Sequence, residues 1–386
     1  MGMTSKFRKT EIGLMPEDWQ AVPLSSIGKF TKGSGIRKDQ AQSGDIACVR
    51  YGELYTHHNE YIKSFNSHIS KDVARSSVKL KSGDILFAGS GETKEEIGKC
   101  AAYIGSEEVY AGGDIIILSP QFANSLFLGF ILNSKLVVMQ KSRKGQGDAV
   151  VHISAKQLEN ILIPLPNLKE QGAIADSLFD IDSLIISLEK LITKKKNIKQ
   201  GAMHKLLAER NGWKVKRLGD VCEIKKGQLI TESTRTHGGI PVIAGGKSIA
   251  YYHNKANRYG KTITISGSGA NAGYVSFHDY PIFASDCSTI GEDDGYSIDF
   301  IYYLLQLLQD KIYRMQTGGA QPHIHPSDLA PIIIPFPEKE KQLEIAVMLS
   351  DMDKELKELE ICMNKYKTIK QGMMQNLLTG KIRLIK

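Results

Sequence analysis

At 386 residues the chain has room for two domains that each bury a core of their own. Hydrophobic content of 41% and charged content of 24% are ordinary for a globular protein; no apolar run reaches membrane-span or signal-peptide length, so the expected compartment is the cytoplasm. Five scattered cysteines with no CxxC pair argue against a disulfide framework or a structural zinc site, and a net charge of +8 suits a polyanionic partner without demanding one.

In chain order, the first segment opens with the lead-in "DWQAVPLSSIGKFTKG" (18–33). A strand, a Gly-Ser-Gly turn and a second strand follow in "SGDILFAGSGETKEEIGKCAAYIG", and "SLFLGFILNSKLVVMQKS" reads as one helix. Next come a Gly-rich polar loop, "RKGQGDAVVHIS", and the apolar run "ILIPLP". From there Ile174, Leu178, Ile181, Ile185, Leu188 and Ile192 alternate steps of four and three, the seam of a coiled coil. Each P-x-P marks where the helix must begin, because proline is poorly tolerated in helix interiors.

The chain then says nearly the same thing again. "GWKVKRLGDVCEIKKG" (212–227) matches the first lead-in at an offset of 194, pairing Trp19 with Trp213. "GKTITISGSGANAGYVSF" repeats the strand and Gly-Ser-Gly plan, "SIDFIYYLLQLLQDKIYRM" reads as one helix, and "QTGGAQPHIHPS" is the second polar loop. After "IIIPFP" a second seam runs through Ile345, Leu349, Met352, Leu356, Leu359 and Met363. The ends pair at an offset of 171: His152 with His323, Pro164 with Pro335, Gln171 with Gln342, and "NIKQGAMHKLL" with "TIKQGMMQNLL". The two offsets differ by 194 − 171 = 23, so the first intervening segment is 23 residues longer. This is an internal duplication with fixed ends and a variable middle.

Each helical region is about 40 residues, hence roughly 60 Å at the α-helical rise. Joined through a globular segment, the two copies are expected to pair antiparallel, with a homodimeric coil as the alternative. The fold expected is α+β: two mixed β-rich globular domains at opposite ends of a long antiparallel two-helix coiled coil, with a pseudo-two-fold internal repeat. The boundaries are 1–166, 167–210, 211–337 and 338–386.

The loops carry residue types that read duplex DNA. Arg and Lys neutralise phosphates and donate to guanine, whereas Gln and Asn pair bidentately with adenine. The candidates are Lys38, Ser90, Thr93, Lys94, Arg143, Lys144 and Gln146 in the first segment. In the second they are Lys226, Ser266, Ser268, Asn271, Arg314, Gln316 and Gln321. Twelve Lys or Arg between Lys190 and Lys226 face only Glu209, Asp220 and Glu223, a run that a solvated helix face also explains in part.

Catalytic motifs are sparse. "AGGKS" (244–248) lacks the glycine a phosphate loop needs where Pro241 stands, and no Pro-Pro pair, HExxH or GxSxG occurs in the required setting. Asp84 with Glu92 and Lys94, echoed by Asp220, Glu223 and Lys225, matches the loose D…ExK pattern of Mg²⁺ nucleases, a short pattern that chance also produces. No metal ligands are assigned, and His57-His58 and His323/His325 read as turn or strand residues.

The order of parts resembles the specificity subunits of type I restriction–modification systems. It rests on the paired lead-ins "MPEDWQAVPLSSI" and "NGWKVKRLGDV", on "ILIPLP…EQGAIA" and "IIIPFP…KQLEIA", on the two IKQG helices and on the terminal "TGKIRL". The resemblance implies that the variable segments are target recognition domains, each reading half of a split double-stranded DNA site. It implies that the helices space them and dock two modification subunits, with restriction subunits also bound. S-adenosylmethionine, ATP and Mg²⁺ would then belong to partner subunits, leaving this chain non-catalytic and without a cofactor of its own. A stand-alone Mg²⁺ nuclease and a protein-only coiled-coil scaffold are the competing expectations.

Overall fold

The computed structural model describes residues 6–208, 212–319 and 321–384; the expected boundary at 210–211 lies outside them. Two units emerge, Met1–Ser187 with Met363–Lys386, and Leu188–Cys362. The first unit begins with β1 (Gln20–Pro23), β2 (Gly28–Lys32), β3 (Ile46–Val49), β4 (Ser67–Ile69), β5 (Val78–Lys79) and β6 (Ile85–Ala88). It continues through β7 (Ser90–Gly91), β8 (Cys100–Ala102), β9 (Val109–Ala111), β10 (Ile115–Pro120), α1 (Ser125–Leu132) and α2 (Lys135–Lys144). β11 (Val151–His152) and β12 (Leu162–Leu165) lead into the long α3 (Leu168–Leu206).

The second unit holds β13 (Lys214–Arg217), β14 (Lys225–Lys226), β15 (Ile240–Ile243), β16 (Tyr251–His253), β17 (Thr262–Ser266) and β18 (Val275–His278). After β19 (Phe283–Ala284), β20 (Cys287–Gly291), α4 (Ile298–Leu307), α5 (Gln309–Arg314) and β21 (Ile333–Phe336) comes α6 (Lys339–Leu377). Its main elements restate those of the first in the same order. One sheet has strand order β8-β6-β10-β2, the other β18-β17-β20-β14. In each unit a second sheet contains a parallel pair, β3 with β9 and β15 with β19. The central strands of the first-named sheets are covered on both faces: β6 and β17 are buried along their whole length. That is why β6 (ILFA) reads in sequence as a continuous apolar run, whereas β17 (TITIS) alternates isoleucine with buried hydroxyl residues.

Each stretch expected to be one helix is two. Asn133 ends α1 because its side-chain amide turns away to donate to the Cys100 and Gly129 carbonyls, at 2.8 and 3.1 Å. Gln309, which opens α5, is likewise tied to the second sheet, accepting from Val275 N and donating to Gly273 O. Both bonds trade helix continuity for an anchor on a strand.

The repeated glutamines have a structural reason. Gln171 is buried, accepts from Asn124 N at 2.8 Å and donates to Pro166 O at 2.7 Å. Gln342 does the same to Ser297 N and Pro337 O, both at 2.9 Å. Each thereby locks the start of a long helix to the cap of the shorter helix that packs on it, satisfying buried polar groups on both sides.

Within each unit the start of one long helix meets the end of the other. The first core takes in Ile174 and Leu178 from α3 with Leu377 and Leu378 at the end of α6. The second takes Met203 and Leu207 with Ile345 and Leu349. The two helices therefore run antiparallel in each unit. Of the expected seam, Ile174, Leu178, Ile185, Ile192, Ile345, Leu349 and Leu356 are buried, while Ile181, Leu188, Met352, Leu359 and Met363 are half-buried.

A duplicated ion pair accompanies the seam. Asp182 meets Lys370 at 3.0 Å in the first unit, and their counterparts Asp353 and Lys199 meet at 2.5 Å in the second. Around Asp182 the globular segment adds Lys63 at 2.8 Å, while Lys370 also reaches Glu60 at 3.2 Å. Burial alone would raise the Asp182 carboxyl, but hydrogen bonds from Lys63 and Lys370 outweigh it and hold the group below its ordinary range. Around Asp353 the second segment supplies Tyr303, whose hydroxyl donates at 2.8 Å.

Candidate nucleic-acid interface

In each unit the Gly-Ser-Gly turn, the closing lysine of the lead-in and the histidine of the polar loop converge on one cleft. The first, of about 770 Å³, is lined among others by Lys32, Ser90, Asp114, Gln146 and His152. Ser90 Oγ and His152 Nδ1 lie 2.9 Å apart, and β7 pairs with β11 to hold them together. The second, of about 310 Å³, is lined among others by Lys226, Ser268, Asp286, His323 and His325. There Ser268 Oγ donates to the Asp286 carboxylate, and the rings of His323 and His325 stack with centroids 6.1 Å apart.

The same backbone bonds build both clefts. Gly89 N donates to Asp114 O and accepts, through its carbonyl, the N–H of Ile153, at 2.7 and 2.9 Å. Gly267 N donates to Asp286 O and its carbonyl accepts from Ile324 N, at 3.0 and 2.9 Å. The side chains lining each cleft mix ammonium donors, hydroxyls, imidazoles and one carboxylate. That donor-rich mixture is suited to hydrogen bonding with phosphates and base edges.

Four of the expected residues fall in the clefts: Ser90 and Gln146 in the first, Lys226 and Ser268 in the second. Arg143 and Lys144 end α2, where the Lys144 carbonyl accepts from Gln157 Nε2, a residue of the first cleft. Arg314 is exposed at the end of α5 and Gln321 on the second loop, and Thr93 and Lys94 on the turn after β7; Lys38 is exposed in a short turn (Lys38–Gln40) away from the cleft lining. Asn271 sits half-buried in the turn between β17 and β18. Two candidates serve the fold instead. Ser266 is buried with its hydroxyl on Gly246 O at 3.1 Å, and Gln316 Nε2 donates to Ala272 O at 2.7 Å.

Sequence reasoning missed Lys32, Asp114, His152, Asp286 and His323 as cleft residues. Signals existed for three of them: Lys32 aligns with Lys226 at the 194 offset, and His152 with His323 at 171. The aspartates carry no such mark, because only the sheet order makes Asp114 and Asp286 equivalent.

The nuclease pattern loses its first carboxylate. Asp84 is buried, and its two oxygens accept from Lys81 N at 2.8 Å and Ser119 Oγ at 2.6 Å, while Glu92 and Lys94 stand exposed in the following turn. The carboxylate that would have to bind Mg²⁺ is engaged in shaping the turn before β6. In the echo of the pattern, Lys225 pairs with Glu223 at 2.8 Å on the exposed surface. Among the described residues no helix is long and apolar enough to cross a membrane.

Comparison with known proteins agrees with this doubled plan. A family model described as the type I restriction modification DNA specificity domain matches twice, over residues 16–200 and 210–365. The type I restriction enzyme MjaVIII specificity subunit of Methanocaldococcus jannaschii is 25% identical, over 96% of this chain and 94% of its own. The putative MjaX specificity subunit of the same organism is 27% identical, over 98% and 97%. The crystal structure of a type I restriction–modification S subunit from M. genitalium superposes with a TM-score of 0.69 at 17% identity, covering 97% of this chain and 99% of that one, and so shares the fold.

Proposed function

The chain belongs to the type I restriction–modification DNA specificity family, and from that premise we propose that its two clefts each read one half of a split duplex target. The observation that carries this reading is the pairing of Lys32, Ser90, Asp114 and His152 with Lys226, Ser268, Asp286 and His323. One cleft is a poor reader of a long site, but two related clefts with different neighbours suit an asymmetric bipartite one. Residues 1–166 and 211–337 are then the two recognition domains, and the duplicated helices are the spacer between them.

The helices also dock two modification subunits, one for each copy. Supporting this, the repeat stays identical at positions the fold does not use. Ile198 and Ile369 are 46% and 38% exposed at equivalent places. Gly201 and Gly372 lie inside their helices, and an added Cβ at either would meet nothing within 4 Å. A glycine in a helix interior is unfavourable by roughly 0.5–1 kcal/mol relative to alanine, so an internal reason is lacking and close approach by a partner supplies one. The partner subunits provide the methyl-transfer chemistry with S-adenosylmethionine and, in the restriction subunits, ATP- and Mg²⁺-dependent cleavage. This chain supplies address and frame.

The test is to map methylated adenines across a host genome with and without the chain. One split motif should disappear when the chain is removed. An unchanged methylome in an otherwise active system would sink the reading, and specific retention of a duplex by the assembled complex separates it from a protein-only scaffold.

A further inference from the structure

The polar loop of each unit is a small hairpin rather than a slack turn, and the two hairpins are built alike. In the first, Gln146 and His152 exchange both backbone hydrogen bonds, at 2.9 and 2.7 Å. In the second, Thr317 and His323 do so at 3.0 and 2.8 Å. Each hairpin turns on a glycine with positive φ, Gly147 at 108° and Gly318 at 90°. Each of these glycines lies against the carbonyl of the residue three further on: an ideal Cβ would come within 2.1 Å of Val150 O and 2.6 Å of Gln321 O. No L side chain fits there, so the turn is specified by glycine in both copies.

The base of each hairpin is a wall of the cleft, through His152 and His323. The tips project from it: residues 147–150 are exposed in the first hairpin, and 318, 319 and 321 in the second. At the two equivalent places stand different residues, Val150 and Gln321. Val150 is 52% exposed, an apolar side chain with no core to serve, whereas its neighbour Val151 is buried.

From these features we propose that the two hairpin tips enter the DNA groove and that Val150 and Gln321 are specificity-determining residues, one for each half-site. The proposal rests on the recognition reading above. A two-stranded ribbon fits the major groove, where each base pair presents its own pattern. An apolar tip selects the thymine methyl, while a glutamine amide pairs with the N6 and N7 edge of adenine. The shared glycine turn places both residues at equivalent positions, so the bases read differ because the residues do.

The experiment uses the full chain assembled with its modification subunits, and selects duplexes from a randomised library by binding followed by sequencing. The wild-type complex, V150Q and Q321V are compared, with methylation of the selected sites as a second readout. V150Q should change or relax one or two positions in a single half-site, by roughly tenfold in preference per base, and leave the other half and the spacing as they were. Q321V should do the converse. If both variants select the wild-type motif unchanged, the tips do not read bases. If either variant assembles yet binds no duplex at all, the tip is an anchor and the proposal fails. A wild-type complex that selects no split motif would instead overturn the recognition reading itself.

Discussion

The two units use one frame and close it differently. In both, a helix aspartate meets a helix lysine at positions the duplication makes equivalent, Asp182 with Lys370 and Asp353 with Lys199. Yet the Asp182 side chain is 7% exposed and surrounded by Lys63, Lys370 and Glu60, whereas the Asp353 side chain is 41% exposed. The first unit has a further fastener. Arg383 holds Asp18 through two bonds at 2.6 and 2.9 Å and Glu170 through two at 2.5 and 2.7 Å, while Trp19 Nε1 donates to Glu170 at 3.1 Å. Duplication copied the helix residues, but each variable segment recruited its own partners for them. Local burial therefore decides what the same pair is worth in each place.

Arg383→Ala should cost most. Glu170 is fully buried, and without Arg383 its charge keeps, among the described residues, only the Trp19 donor, which predicts a loss of about 3–5 kcal/mol by urea denaturation. A loss below about 1 kcal/mol would mean that the fastener is incidental.

Asp182→Ala comes next, at about 3 kcal/mol, because it leaves two lysines facing each other in a buried site. Asp353→Ala should cost nearer 1 kcal/mol, since solvent screens the exposed side of that pair. Equal losses would break the claim that burial separates the two units.

Acid titration sharpens the same point. Asp182 titrates below its ordinary value of 3.8 when folded, so its contribution is present above that pH and fades as pH falls through the folded pKa. Lys370 is held above its ordinary 10.5, burial notwithstanding, by Glu60 and Asp182, so its share survives until pH rises past that value. Stability measured against pH should lose part of its acid slope in Asp182→Ala; an unaltered slope would show that other carboxylates set it.

The smallest effect on folding is expected at the glycines. Gly201→Ala and Gly372→Ala should each leave stability unchanged or raise it by up to about 1 kcal/mol. Each should weaken binding of one modification subunit, read as a shift in stoichiometry by native mass spectrometry. If both complexes assemble fully, the two glycines are not a docking point.

Much of the plan was legible in the residues. Periodicity marked both long helices and most of their buried positions, and the offsets of 171 and 194 announced two related units. The clefts were half legible: Ser90, Gln146, Lys226 and Ser268 came from loop chemistry, while Ser266 and Gln316 looked equally suitable and are committed to internal bonds. Composition cannot tell a hydroxyl that faces a cleft from one that holds a turn, because both choices use the same atoms.

What the sequence alone determined is the repeat, its helical frame and the apolar strands, since these depend on local spacing and side-chain type. Tertiary structure decided what lies across a sheet. It placed Asp114 beside Ser90 and Asp286 beside Ser268, engaged Asp84 in a turn, broke each short helix in two, and gave one copy of the ion pair a buried setting and the other an exposed one. Those outcomes depend on which strands pair and how far water is excluded, and neither quantity is carried by any one stretch of chain.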